Sequence, residues 1–172
     1  MAMTRTQIKT TALKGVRPEE CLLEVNRFLF REEVGGLFST CFYGILNTRT
    51  GQLSYCSAGH NPPYVLRASG DVESVPEVGG CPLGLFGEMG YTGSCAQIDP
   101  GDALFLYTDG VPEANNAAEE ESTYDRLVSS LGESTSLACR DMIDRLTRDL
   151  LAFTAGAPQS DDITMVCIRR RQ

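Results

Sequence analysis

Asp109 and the pair Asp161-Asp162 are the residues of this chain whose placement invites chemistry. The first stands where an apolar run, Ala103 to Thr108, gives way to a turn, and the pair stands just ahead of another such run, Ile163 to Ile168. Strand ends are rigid platforms, and carboxylates held on two of them suit a hard divalent cation, Mg²⁺ or Mn²⁺. Zinc would call for the cysteines and histidine that are not clustered here. On spacing alone, solvated turn residues are the plainer account of the same carboxylates.

Other reactive residue types lack the company they need. Cys21 and Arg27 have the C-x5-R spacing of a cysteine-dependent phosphatase, but they lie in an amphipathic helical stretch with no glycine. A phosphate-cradling loop requires successive free backbone N–H groups. His60 is the sole histidine, and beside Asn61-Pro62-Pro63 it fits a structural turn residue better than a general acid. Thr108 and Ser160 adjoin the acidic positions, yet no histidine is at hand as a base for either.

The elements that must position these residues follow from periodicity and punctuation. Residues 2 to 14 are helix-compatible and stop at Gly15. Pro18 opens a second helix in which Cys21, Leu22, Val25, Phe28 and Leu29 recur at helical spacing, ending before Gly35-Gly36. From Cys41 the period shortens. The runs Cys41–Leu46, Leu53–Ser57, Tyr64–Arg67 and Val72–Val75 read as antiparallel hairpins joined at 47–51, 60–63 and 69–71. A glycine-rich stretch, Gly79 to Gly90, precedes a strand around Tyr91 to Ile98, and Pro100-Gly101-Asp102 turns the chain into the strand that ends at Asp109. Two helical stripes follow: Tyr124, Leu127, Val128 and Leu131, then Cys139, Ile143, Leu146, Leu150 and Phe153. Gly156-Ala157-Pro158 closes the second before a last strand, 163 to 168. Strands first and paired helices afterwards predict an α+β domain, with helices packed on sheet faces.

Composition narrows the function classes. With 172 residues, 42% of them apolar, and no linker-like tract, one domain spanning 1–172 is expected. Fifteen basic against twenty-three acidic residues give a net charge of -8, which argues against a nucleic-acid partner. The run Arg169-Arg170-Arg171 reads as a solvated strand end. Seven cysteines without a C-x-x-C pair read as small buried hydrophobes. No secretory start and no apolar run near the ~20 residues that span a bilayer are present, so a cytoplasmic protein with no membrane partner is expected.

Seven segments occur in a telling order: Phe42-Tyr43-Gly44-Ile45-Leu46, Thr50-Gly51-Gln52-Leu53, Ala58-Gly59-His60-Asn61-Pro62-Pro63, Pro82-Leu83-Gly84-Leu85, Pro100-Gly101-Asp102, Tyr107-Thr108-Asp109-Gly110 and Asp161-Asp162-Ile163-Thr164. Together they resemble the SpoIIE/RsbU branch of the metal-dependent PPM protein serine/threonine phosphatases, over about residues 1 to 170. The resemblance implies a β-sandwich of two antiparallel sheets flanked by helices, in α-β-β-α layers, with a binuclear Mn²⁺ or Mg²⁺ site at one edge. It implies metal ligation by Asp109 and Asp161, metal or supporting roles for Gly110 and Asp162, and a weaker third-metal position at Glu113. An acidic residue opening a helix would explain Glu113 equally. The implied reaction is metal-assisted hydrolysis of phosphoserine or phosphothreonine on a protein. The implied substrate is a phosphorylated anti-sigma-factor antagonist in bacterial signalling.

The sequence departs from that pattern where the family opens. A GGD-x-x-D segment and a D-V-S-G turn are absent: Gly79-Gly80 is followed by Cys81, and the first residues resemble the middle of the helix that normally follows the D-V-S-G turn. Hence the expectation of an N-terminally incomplete domain lacking its first strands. Two carboxylates alone offer too few charges for two cations, so little hydrolysis is expected of the chain by itself. Unpaired sheet edges would favour a homodimer. The rival reading is a non-catalytic, degenerate phosphatase domain that binds phosphoproteins or oligomerises.

Overall fold

In a computed structural model, residues 2–31 and 38–171 are described. The chain forms two compact units, Met1–Pro62 with Pro76–Gln97, and Pro63–Val75 with Ile98–Gln172. The first holds helices α1 (Ala2–Ala12) and α2 (Pro18–Arg31) and strands β1 (Cys41–Leu46), β2 (Gln52–Ala58), β5 (Gly79–Gly80) and β6 (Ser94–Gln97). The second holds β3 (Tyr64–Leu66), β4 (Val72–Ser74), β7 (Ala103–Tyr107) and β8 (Met165–Arg169), with α3 (Tyr124–Gly132) and α4 (Cys139–Thr154).

In the first unit α2 starts where the sequence says it should. Pro18 occupies the first helical position, and the Glu20 carboxylate reaches back to the N–H of Arg17 at 3.2 Å, one half of a capping box. Its buried face, Cys21, Leu22 and Val25, packs with Cys56, Ala58, Leu83 and Tyr91. The expected helix stop at Gly35-Gly36 lies outside the described residues. The β1–β2 hairpin is turned by Asn47, whose Oδ1 accepts from the N–H groups of Arg49 (3.0 Å) and Thr50 (3.1 Å), while Gly51 takes φ +81°.

Two details differ from the sequence expectation. Segment 60–63 is not a hairpin turn: β2 pairs with β1, β5 and β6, whereas β3 pairs with β4 and β7, so Pro62-Pro63 carries the chain from one sheet to the other. The glycine-rich stretch contains β5, which runs parallel to the end of β2 through Ser57↔Gly79 and Ala58↔Gly80, in sheets whose other strand pairs are antiparallel among the described residues. Glycine is required at the first of these, because a Cβ on Gly79 (φ +142°) would stand 1.8 Å from the Ser57 carbonyl oxygen.

In the second unit the sheet order is β4-β3-β7-β8, antiparallel throughout. Alternation places Tyr64 and Leu66, then Ala103, Phe105 and Tyr107, on one face, where Leu127, Leu131, Met142 and Leu146 of the two helices cover them. Tyr64 and Tyr107 stack at 5.7 Å between centroids. The arginines at the end of β8 are not a solvated tail. Arg169 donates to the carbonyls of Gly101 (2.6 Å), Thr135 (2.8 Å) and Leu137 (3.0 Å), and Arg170 to that of Ile98 (2.8 Å). These guanidiniums tie the β6–β7 and α3–α4 connections to the sheet.

Helix α4 closes with Ala155 in the left-handed region at φ 47°, followed by Gly156 at φ 86°. A Cβ is unfavourable in that conformation. The substitution Ala155→Gly is expected to raise unfolding stability by about 0.5–1 kcal/mol, as a higher urea midpoint with an unchanged slope.

Candidate metal centre

The apolar residues of β7 hold it in the middle of its sheet, so the chain leaves it at a fixed point, Tyr107, and Thr108-Asp109 extend from a rigid base. Thr108 then acts as a clamp. Its N–H donates to the Thr164 carbonyl (3.1 Å), its Oγ1 donates to the Asp162 carbonyl (2.7 Å), and the same Oγ1 accepts from the N–H of Thr164 (2.9 Å). Three bonds around one threonine therefore bind the Asp109 turn to the Asp161-Asp162 segment. They also explain why β8 begins at Met165 rather than Ile163: the Thr164 N–H is spent on a side chain instead of the ladder.

Gly110 completes the juxtaposition by having no side chain. It is buried, and a Cβ there would meet the Asp162 carbonyl oxygen at 2.7 Å and that of Asp161 at 3.2 Å. Its N–H donates to the Asp109 Oδ1 (3.1 Å), and the Asp109 carbonyl accepts from Glu113 N–H (3.0 Å), so 109–113 is a hydrogen-bonded turn. Asp161 is oriented in a similar way: its Oδ1 accepts from the N–H of Asp162 (2.6 Å), and Gln159 Nε2 donates to its carbonyl (2.7 Å). Asp109, Glu113, Asp161 and Asp162 are all exposed.

Glu113 does not open a helix, since α3 begins only at Tyr124; it sits in the turn that starts at Asp109. The local field is negative. Burial, then the charges of Glu113 and Asp109, push the Tyr124 phenol above its usual value. Sequence reasoning weighed Thr108 as a nucleophile without a base and missed it as the clamp; its position before the acidic turn was the available signal. His60 lies in the first unit, where its N–H and carbonyl are bridged by Ser57 Oγ at 3.1 Å each, a turn role.

The donors fit a divalent cation in kind but fall short in number. Two carboxylates, each with an oxygen free of the intraloop N–H bonds, are hard ligands in a negative field, as Mg²⁺ and Mn²⁺ require. Among the described residues no group of three or more His, Cys, Asp or Glu side chains converges as a metal cluster. Beside the acidic loops lies a groove of about 460 Å³, lined by Gly110, Asn115, Ile143, Leu151, Ser160 and Ile163 among others, with no ionisable side chain in its wall. No helix among the described residues is long and apolar enough to cross a membrane.

Comparison with known proteins sets this geometry in a family. The profile described as Stage II sporulation protein E (SpoIIE) matches residues 1–171. Protein IcfG of Synechocystis sp. is 33% identical over 134 residues, 78% of this chain and 21% of IcfG. The phosphoserine phosphatase RsbU of Bacillus subtilis is 25% identical over 173 residues, 99% of this chain and 50% of RsbU. The chain thus spans half or less of the length of these relatives. Among solved structures, the RsbU and RsbW domains of Rv1364c from Mycobacterium tuberculosis superpose with TM-score 0.80 at 29% identity, over 99% of this chain and 47% of that one. RsbX in complex with magnesium gives TM-score 0.66 at 17% identity, over 96% and 70%, a likeness of fold alone. With the mixed α+β architecture and the Thr108–Asp109–Asp161 juxtaposition, the family match means that this chain belongs to the SpoIIE family, within the SpoIIE/RsbU branch of the PPM-type phosphatase domains.

Proposed function

We propose that this chain serves, as one functional domain, in the metal-dependent hydrolysis of phosphoserine or phosphothreonine on a protein. The substrate class is an anti-sigma-factor antagonist in bacterial cytoplasmic signalling. The observation that carries the proposal is the Thr108 clamp, which brings the Asp109 turn and the Asp161-Asp162 segment together where β7 ends and β8 begins. A divalent cation, Mn²⁺ or Mg²⁺, supplies Lewis acidity toward a phosphoryl group when bound. Asp109 and Asp161 hold it. Gly110 lets the two loops approach, Asp162 and Glu113 add negative charge around them, and the uncharged groove seats residues flanking the phosphorylated side chain.

Two carboxylates carry too little charge and too few oxygens for a pair of cations. The chain by itself is therefore expected to release phosphate from a phosphoserine peptide at background rate. The absence of a three-ligand cluster among the described residues also favours a second reading, a domain that binds phosphoproteins without turnover. Mn²⁺ titration by calorimetry on the full gene product, with phosphate release followed in parallel, separates the two. Under the phosphatase reading, Asp109→Asn and Asp161→Asn each lower phosphate release by about 100-fold or more and weaken Mn²⁺ binding. Phosphopeptide binding without release, unchanged by either substitution, would establish the binding module.

A further inference from the structure

The cysteines, expected to be inert hydrophobes, include one pair that the fold brings together. Cys139 opens α4 and Cys167 lies in the middle of β8, 28 positions further along the chain, yet their Sγ atoms are 2.8 Å apart. A disulfide bond is about 2.0 Å long, so closure requires an approach of less than about 1 Å. The two elements already pack against one another, and no rearrangement of the backbone topology is needed. Both side chains are half-buried and not sealed from solvent, unlike Cys21 and Cys56, which are buried and face the carbonyls of Ile8 and Ser57. Met142 Sδ, at 3.8 Å from Cys167, forms the apolar floor of the pair.

We propose that Cys139 and Cys167 form a modification site, a dithiol that closes to an intramolecular disulfide on reaction with a low-molecular-weight disulfide such as oxidised glutathione. The Cys139 sulfur attacks the reagent, breaking its S–S bond and releasing one thiol, and a mixed disulfide forms on Cys139. The Cys167 sulfur then attacks the Cys139 sulfur and displaces the second thiol. Two electrons pass from the protein sulfurs to the reagent, and the two thiol protons end on the two released thiols. The order follows from position: Cys139 is the first residue of α4, whereas Cys167 is held inside a paired strand, where burial, then the hydrogen bond to Cys139, raises its thiol above the usual range. Oxidation fastens the start of α4 to β8, the strand that leads back to Asp161, and removes unfolded conformations.

The test is to incubate the full gene product with oxidised glutathione and follow intact mass, disulfide-mapped peptides and thermal unfolding. Expected are loss of two hydrogens, a cross-link between the Cys139 and Cys167 peptides, and a rise in Tm of about 5–10 °C, all reversed by dithiothreitol. Cys167→Ser should retain a stable glutathione adduct on Cys139. Cys139→Ser should form no Cys167 cross-link and show no Tm rise. Stable adducts on the wild type, a cross-link mapping to other cysteines, or no change in mass would each overturn the proposal.

Discussion

Replacing Gly110 by alanine is expected to dismantle the candidate centre without touching a carboxylate. The added Cβ would stand 2.7 Å from the Asp162 carbonyl oxygen and 3.1 Å from its carbonyl carbon, both backbone atoms, so no flexible side chain can swing aside. Relief requires the Asp161-Asp162 segment to move away from the β7 end. That stretches the Thr108 Oγ1 bonds to Asp162 and Thr164, which are 2.7 and 2.9 Å long. Overpacking of this kind costs about 1–3 kcal/mol, and a displacement of about 1 Å at a reacting centre reduces rates by about 100-fold. Gly110→Ala should therefore lower phosphate release in the full gene product by about that factor while removing only part of the unfolding stability. Amide shifts of residues 161–164 would report the displaced loop directly. Gly132→Ala is the matched control: at the last residue of α3, with no atom within 4 Å of a new Cβ, it should leave phosphate release unchanged and stabilise the protein by less than the ~1 kcal/mol of a helix interior. Wild-type phosphate release from Gly110→Ala would show that the close approach of the two loops is not what the centre depends on.

The second large effect is predicted at Asp102, which is 3% exposed and never faces the candidate centre. Its Oδ2 takes Arg67 Nη1 at 2.9 Å and the N–H of Asp99 at 3.0 Å, and its Oδ1 takes the N–H of Ala68 at 2.8 Å. One carboxylate thus fastens the β3 end to the turn that launches β7. Asp102→Ala removes the carboxylate that these two N–H groups and the Arg67 guanidinium share. Because Arg67 keeps Glu73 as a partner, the loss should sit at the low end of the range for a broken buried pair, about 3 kcal/mol. Burial alone would push the Asp102 carboxyl up, but the Arg67 hydrogen bond and the backbone N–H groups of Ala68 and Asp99 outweigh it and hold it below its ordinary value of 3.8. A carboxyl depressed in the folded state stabilises the fold above its unfolded pKa, and that contribution is lost as pH falls through the folded value. Urea midpoints of wild type and Asp102→Ala should therefore differ fully at pH 7, and the gap should narrow as pH falls below about 3.8. A gap that does not narrow at low pH would place the effect in packing rather than in charge.

Much of this was legible because the signals were local. The apolar run Ala103 to Thr108 ending in Asp109-Gly110 announced both a central strand and a turn carrying an acid, and β7 and the 109–113 turn are there. Pro18 and the spacing of Cys21, Leu22 and Val25 fixed α2 at its start. What could not be read depends on partners far away in sequence. Two glycines without side chains give no strand signal, and β5 exists because the end of β2 offers backbone groups that only a residue without a Cβ can approach. Arg169 reads as solvated until the carbonyls of Gly101, Thr135 and Leu137 surround it. Thr108 is an ordinary β-residue by type, and its three bonds to residues 162 and 164 appear only once β8 is aligned beside β7.

The chain's three passages between the two units, after Pro62, Val75 and Gln97, bear on the order in which a ribosome can complete them. Among the described residues, the strands of the first unit are all made by Gln97. The β3–β4 hairpin is made before then, yet its central partner β7 and the edge strand β8 come later in the chain. A two-stranded hairpin is marginal in water without a third strand or a covering helix. During vectorial synthesis it must therefore wait, with Tyr64, Val65 and Leu66 uncovered, until β7 has emerged. A stalled or truncated nascent chain ending in α3 would lack both α4 and β8, and with them the segment that carries Asp161. The second unit, and the acidic juxtaposition within it, can be finished only after β8 has been synthesised.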